Sequence, residues 1–167
     1  MKASAVINVQ QFRTLVVQPV LKTLEGWNAA MNSPAAENLL VGTAVQESHL
    51  TYLAQLGGGP ALGVMQIEPN TNDDVWTNYL DYRSDLAQVV ETLSAGSSHD
   101  SDQLPWNLAY SVAIARLIFW RQSAPMPTDP NDLNALGQYW KDHYNTGDGG
   151  GTAQEWVENY QKYVEET

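Results

Sequence analysis

The stretch "LAYSVAIARLIFW", Leu108–Trp120, constrains the fold more than any other part of this sequence. Its apolar residues fall on nearly every side of a helix, whereas a surface helix keeps one side polar. We therefore predict a central helix that the rest of the chain surrounds. The 167 residues, 43% of them hydrophobic, are enough for one domain with a substantial core.

The remainder of the chain repeats apolar residues at helical spacing, and sustained alternation of period two is nearly absent. Ser33 followed by Pro34 predicts a helix that runs to about Ser48, because serine caps a helix and proline suits its first position. We expect one mainly α domain over residues 1–167. A helix is also predicted over residues 9–27, with a kink or division at Pro19. Two more helices are predicted, one that starts at Thr71 and one over "SDLAQVVETLSA". The last two are predicted to start at Asp129 and Pro130 and at a capping box of Thr152 and Glu155.

Charge and composition exclude several kinds of function. Nineteen acidic and eight basic residues give a net charge of −11, which argues against binding to nucleic acid or to anionic membranes. The absence of cysteine excludes disulfides and thiolate metal sites. His49, His99 and His143 lack the spacing of metal ligands, so we expect no metal and no cofactor.

The N-terminal stretch "MKASAVINVQQF" bears on localisation. Its apolar residues are interrupted by polar ones, unlike the core of a signal peptide, so we expect no signal peptide. No apolar run in the sequence is long enough to span a bilayer, so we expect no membrane insertion.

An acid, Glu47, ends the otherwise apolar segment "AVQESHL". The following "LGGGPALG" cannot continue a helix, so Glu47 is predicted at a helix end, facing whatever the loop encloses. A lone glutamate in that position is usually a solvated surface residue. Apolar neighbours such as Val45 and Met65 would disfavour the ionised form and raise the carboxyl pKa toward neutrality.

Three motifs follow one another in a recognisable order: "ESHL", "GVMQIEPNT" and "YNTG". In this order they resemble the catalytic domain of soluble lytic transglycosylases, relatives of goose-type lysozyme. The resemblance covers about residues 39–147 and is closest to phage-encoded members, although Thr146 stands where the family more often has alanine. It implies a lysozyme-like fold, from an α+β superfamily with little β structure.

The resemblance also implies an activity, cleavage of the β-1,4 bond between N-acetylmuramic acid and N-acetylglucosamine in peptidoglycan, giving 1,6-anhydromuropeptides. Such cleavage needs a proton at a poor leaving oxygen while an oxocarbenium-like centre develops, and Glu47 is the expected acid and then base. The implied partner is the glycan strand. A phage-encoded protein would be virion-associated or made in the host cytoplasm, and the acidity suggests delivery to the wall by a particle or tether.

The family motifs imply a set of substrate-binding residues: Ser48, Gly63, Met65, Gln66, Tyr144 and Asn145. Ser48 either holds the carboxylate or binds the substrate, or it simply ends the helix. Gly63 would let the backbone approach a sugar, while Met65 and Gln66 would line the cleft. Met65 could instead fill a gap in the core. The Tyr-Asn pair would face the acid.

The aromatic residues divide into two expected groups. Trp140 and Tyr144, four residues apart, are candidates for stacking on sugar rings. The others considered are expected in the core: Trp106, Phe119, Trp120, Trp156 and Tyr160.

Two other functions are compatible with these motifs. A hydrolytic lysozyme would need a second carboxylate across the cleft, for which Glu68 is one candidate and Asp73 or Asp74 another. A non-catalytic wall-binding or tail-structural module would keep the cleft only to hold glycan. A pure binder has no need of a proton donor, so the combination of motifs favours the enzyme.

Overall fold

The computed structural model describes residues 6–96, 99–145 and 149–166. Within these ranges the protein is mainly α-helical, as predicted, and contains no β-strand, only isolated antiparallel bridges of Leu62 with Ala54 and Ile67. None of the described helices is long and apolar enough to cross a membrane. The α-helices are α1 (Val9–Phe12), α2 (Gln18–Glu25), α3 (Pro34–Ser48), α4 (Pro69–Asn78), α5 (Ser84–Glu91), α6 (Leu108–Trp120), α7 (Leu133–His143) and α8 (Ala153–Tyr160).

Helix α6 lies at the centre of the described structure. Ten of its thirteen residues are buried, and it packs against α2, α3, α4 and the π-helical segment Arg13–Val17. The prediction of a central buried helix is therefore confirmed. The core around it draws on residues from Phe12 to Tyr160.

Helix α3 begins and ends where the sequence predicts. The Ser33 hydroxyl accepts a hydrogen bond from the backbone N–H of Ala36 at 3.0 Å, and proline occupies the first turn. Farther along α3, Trp156 of α8 lies directly against Gly42, where an added Cβ would come within 2.1 Å of the indole ring. The glycine thus permits the close approach of α3 and α8.

The first predicted helix departs from α-helical geometry just before Pro19. A proline ring clashes with the carbonyl four residues earlier and cannot donate a hydrogen bond. The chain forms the wider π-helical segment Arg13–Val17, after which the Gln18 N–H donates to the Arg13 carbonyl, five residues back. It then continues as α2.

Two helix starts differ from their predicted positions. Helix α4 begins at Pro69 rather than Thr71, because proline is well suited to the first helical position. Helix α7 does not begin at Asp129 and Pro130. The Asp129 carboxylate closes a short turn onto the backbone two residues on, and Asp132 caps the helix instead.

Two other helix starts are confirmed. Helix α5 begins at Ser84, at the head of the "SDLAQVVETLSA" stretch. Helix α8 opens with the predicted capping box, in which Thr152 and Glu155 each accept a hydrogen bond from the other's backbone N–H.

The aromatic residues expected in the core follow the prediction with two exceptions. Phe119, Trp156 and Tyr160 are buried, whereas Trp120 at the end of α6 is only partly buried. Trp106 is 62% exposed, because it precedes the residue that caps α6 and lies in the turn outside the helix.

The chain reverses sharply after α3, and this turn shapes the functional region. His49 and Leu50 both adopt left-handed backbone conformations, with φ of 50° and 53°. The following loop folds back through the bridges of Leu62 and reaches α4 at Pro69. The end of α3 is thereby enclosed between this loop and the end of α7.

Candidate active site

An open cleft of about 1090 Å³ lies at the end of α3. Its walls are formed by the loop after α3, the start of α4, the ends of α6 and α7, and residues 149–151. Tyr52 and Leu56 of the loop line the cleft while remaining 39% and 66% exposed. The cleft therefore combines apolar contact surface with polar groups, as small-molecule binding sites commonly do.

Glu47 projects into this main cleft from the last turn of α3. Its Oε1 accepts a hydrogen bond from Nε1 of Trp140, at 2.9 Å. Burial raises the pKa of the Glu47 carboxyl to about 7, while the Trp140 hydrogen bond opposes the rise because it favours the ionised form. A carboxyl with this pKa can both donate and accept a proton near neutral pH.

Tyr144 lies close to Glu47, at the end of α7. Its hydroxyl donates a hydrogen bond to the Met65 backbone carbonyl at 2.7 Å, and its ring stacks on Phe119 with centroids 5.1 Å apart. Burial raises the pKa of the Tyr144 hydroxyl, and the Glu47 carboxylate raises it further. Tyr144 therefore stays protonated and joins α7 to the loop opposite.

The two residues of the Met-Gln pair occupy different environments. The Met65 side chain is fully buried in the core, so it fills the core and does not line the cleft. Gln66 lines the cleft, with a left-handed backbone of φ 48°, and its amide donates to the Gly63 carbonyl at 2.9 Å. The glutamine side chain and the Met65 backbone carbonyl are thus the parts of this pair near the site.

Ser48 and Gly63 each lie against the backbone of another segment of the protein. The Ser48 hydroxyl is buried and bonds the Val64 carbonyl at 2.8 Å, so it joins the end of α3 to the loop. Gly63 has φ 75°, and an added Cβ would lie 2.3 Å from the Leu104 carbonyl oxygen. The close approach that requires this glycine is therefore to Leu104.

The third motif is placed in part. Asn145 lines the cleft, and its amide donates to the Gly151 carbonyl at 3.3 Å. Thr146 and Gly147 of "YNTG" lie outside the described residues. The Tyr-Asn half of the motif does face the same cleft as Glu47.

Two of the candidate second carboxylates also line the main cleft. Glu68 is exposed at the cap of α4. Asp74 forms an ion pair with Arg121, Oδ2 to Nη1 at 2.6 Å, and accepts a hydrogen bond from Asn78. The hydrogen bonds from Asn78 and Arg121 lower the pKa of the Asp74 carboxyl, the opposite of what happens to Glu47.

Trp140 and Arg121 have roles that the sequence pattern does not predict. Trp140 was expected to stack on sugars, but it is 1% exposed and contributes its N–H to Glu47. Its spacing from Tyr144 was the available signal, since residues four apart share a helix face. Nothing in the sequence pairs Arg121 with Asp74.

Within the described part of the chain, no three His, Asp or Glu side chains lie close enough to hold a metal ion. Comparison with protein family models, with characterised proteins and with solved structures found no match.

Proposed function

We propose that this protein is a peptidoglycan lytic transglycosylase with a lysozyme-like fold. The observation that carries the proposal is the environment of Glu47, a carboxyl with a pKa of about 7 at the wall of a large open cleft. A general acid is most effective when its pKa lies near the working pH. The motif order that resembles the transglycosylase family adds support.

In the proposed reaction, Glu47 donates its proton to the glycosidic oxygen as the bond from that oxygen to the anomeric carbon of N-acetylmuramic acid breaks. The N-acetylglucosamine side leaves as an alcohol, and an oxocarbenium-like centre develops. The Glu47 carboxylate then removes the proton of the muramic acid 6-hydroxyl, whose oxygen bonds to the anomeric carbon. This step restores the acid and consumes no water.

The neighbouring groups have proposed supporting roles. The Gln66 amide and Asn145 line the cleft, where they can bind the N-acetyl groups of the strand. The Tyr144 hydroxyl, held by the Met65 carbonyl, stays neutral beside the acid and fixes the cleft wall. Trp140 orients the carboxyl through its N–H.

The proposed setting is bacterial wall degradation by a phage-encoded protein, either carried on the virion or made in the host cytoplasm. The net charge of −11 supports delivery by a particle or tether. A basic surface would adhere to an anionic envelope by itself, whereas an acidic one is repelled.

A hydrolytic lysozyme is the second candidate, because Glu68 and Asp74 line the cleft beside the acid. An inverting hydrolase needs two carboxyl groups roughly 6.5–9.5 Å apart, one of them to activate water. A non-catalytic wall-binding or tail-structural module is the third, and the raised pKa of Glu47 argues against it because glycan binding alone needs no proton donor.

Mass analysis of the products from purified peptidoglycan separates the three. A transglycosylase gives 1,6-anhydromuropeptides, lighter than hydrolytic products by one water and resistant to borohydride. Borohydride-reducible products, with Glu68→Gln or Asp74→Asn as damaging as Glu47→Gln, would establish the lysozyme. A folded protein that binds peptidoglycan and releases nothing would be a binding module.

A further inference from the structure

A second cavity, of about 440 Å³, lies on another side of α6. We call it the Arg116 pocket; it is bordered by residues 30–33, the end of α6, residues 123–128 and Tyr139 of α7. Among the described residues, Gln122 alone lines both this pocket and the main cleft. The pocket is therefore a separate compartment that the proposed reaction does not use.

Arg116 places a charge in this pocket from the centre of the buried helix. Only 2% of the residue is exposed. Its Nε donates to the Met31 carbonyl at 2.9 Å, one terminal nitrogen donates to the Ala30 carbonyl at 3.4 Å, and the guanidinium lies 5.2 Å from the Trp120 ring. A guanidinium has five N–H donors, so these contacts leave donors available.

The charge of Arg116 has no acidic partner within residues 6–96, 99–145 and 149–166. This is unexpected in a chain with nineteen acids, since buried charges are normally paired. Burial lowers the pKa of Arg116 to about 10, so the side chain still carries its charge near neutral pH. An anion entering the pocket would supply the missing partner.

The other walls indicate what the anion is attached to. Phe119, Trp120, Met126 and Tyr139 present aromatic and apolar surface, while the exposed Ser123 lies at the rim. Arginine forms two parallel hydrogen bonds with a carboxylate. We propose that the Arg116 pocket binds a carboxylate carried on an apolar or aromatic body, either a free organic acid or the carboxyl end of a peptide with an apolar last residue.

Matched probes test the need for the charge. In an NMR titration of the full chain, 2-naphthoate is expected to shift the amide signals of residues 116–126. The neutral isostere 2-naphthamide carries no charge to pair with Arg116, so it is expected to bind about tenfold more weakly or worse. A tenfold loss of affinity corresponds to only part of the free energy that a charged hydrogen-bonded pair contributes. Equal binding of the two probes, or no binding of either, would overturn the proposal.

Variants test the position of the site. Arg116→Met is expected to abolish the preference for naphthoate, but it also removes the hydrogen bonds to the Met31 and Ala30 carbonyls. Ser123→Glu therefore serves as the second variant, because it adds a competing carboxylate at the exposed rim without disturbing the core. It should weaken naphthoate binding about tenfold, with Ser123→Gln as the matched control. If the two Ser123 variants bind naphthoate equally, the charge at Arg116 does not hold the ligand.

A competition experiment identifies the source of the carboxylate. N-acetyl-alanyl-phenylalanine and its C-terminal amide are each added to the naphthoate complex. Displacement by the free acid but not by the amide supports a peptide carboxyl end as the natural ligand. Failure of both to displace bound naphthoate supports a free organic acid, and displacement by both equally contradicts carboxylate recognition.

Discussion

Glu47 and Asp74 line the same cleft, yet their surroundings move their carboxyl pKa values in opposite directions. Glu47 is half-buried at the C-terminal end of α3, and Trp140 is its one hydrogen-bond partner among the described residues. Asp74 is 44% exposed at its side chain and is held by Asn78 and the Arg121 guanidinium. The difference teaches that environment, more than residue type, decides which carboxyl can act as an acid.

The physical causes are distinct at each position. Burial removes the hydration that stabilises a carboxylate, and the negative end of the α3 dipole beside Glu47 also disfavours the charge. Around Asp74, an ion pair and a donated amide hydrogen bond stabilise the ionised form. The first carboxyl is suited to hold a proton at neutral pH and the second to remain a carboxylate.

The largest expected effect is the loss of activity when the Glu47 carboxyl is removed. Glu47→Gln should reduce release of soluble muropeptides by about 10²- to 10⁴-fold or more, since the amide keeps the volume but has no proton to give. Glu68→Gln, an exposed change in the same cleft, is the matched control and should retain most activity. Undiminished wall degradation by a folded Glu47→Gln protein would remove Glu47 from the mechanism.

The same substitution should change the pH dependence of stability. A folded pKa of about 7 against an ordinary value of 4.5 means that the folded state binds more protons between these values. Stability of the wild type is then lost as pH rises through this window. Relative to wild type, Glu47→Gln should gain about 3 kcal/mol in the free energy of unfolding between about pH 4 and about pH 8.

Denaturant unfolding at several pH values measures this gain, with Glu68→Gln again as the control. A difference between wild type and Glu47→Gln that stays constant with pH would show that the Glu47 pKa is not raised in the folded state.

Trp140→Phe should have a smaller and more specific effect. In the wild type, the indole N–H of Trp140 favours the ionised form of Glu47. Without it, the pKa of the Glu47 carboxyl should rise further. The protonated acid then persists to higher pH, so the alkaline limb of the pH–rate profile shifts to higher pH. Trp106→Phe, at an exposed tryptophan, is the control and should leave the profile in place. A limb that does not move for Trp140→Phe would mean that this hydrogen bond does not tune the acid.

The smallest expected effect is that of Asp74→Asn. Its ion pair with Arg121 is partly exposed, so the loss of stability should be below about 1 kcal/mol near neutral pH. Because the folded pKa of Asp74 is lowered, this contribution is present above the ordinary value of 3.8 and disappears as pH falls through the folded pKa. Muropeptide release should fall only severalfold. A loss as large as that of Glu47→Gln would make Asp74 a second catalytic carboxylate.

Local chemistry made much of the helical framework predictable. Ser33 with Pro34, and Thr152 with Glu155, satisfy backbone groups within three or four residues, so their caps can be read without knowing the fold. The shifted start of α7 shows the limit of such signals. Asp129 and Asp132 are both residue types that cap helices. Asp129 accepts a hydrogen bond within a short turn instead, and Asp132 caps α7.

The sequence by itself determined the helical framework, the central buried α6 and the place of Glu47 at the end of α3, because helical periodicity, caps and glycine breaks act over a few residues. Only the tertiary structure decided what surrounds the acid. Trp140 reaches Glu47, and Arg121 reaches Asp74, through the packing of helices far apart in the chain. Burial and charge pairing arise from that packing, and they set the pKa values on which the proposed function depends.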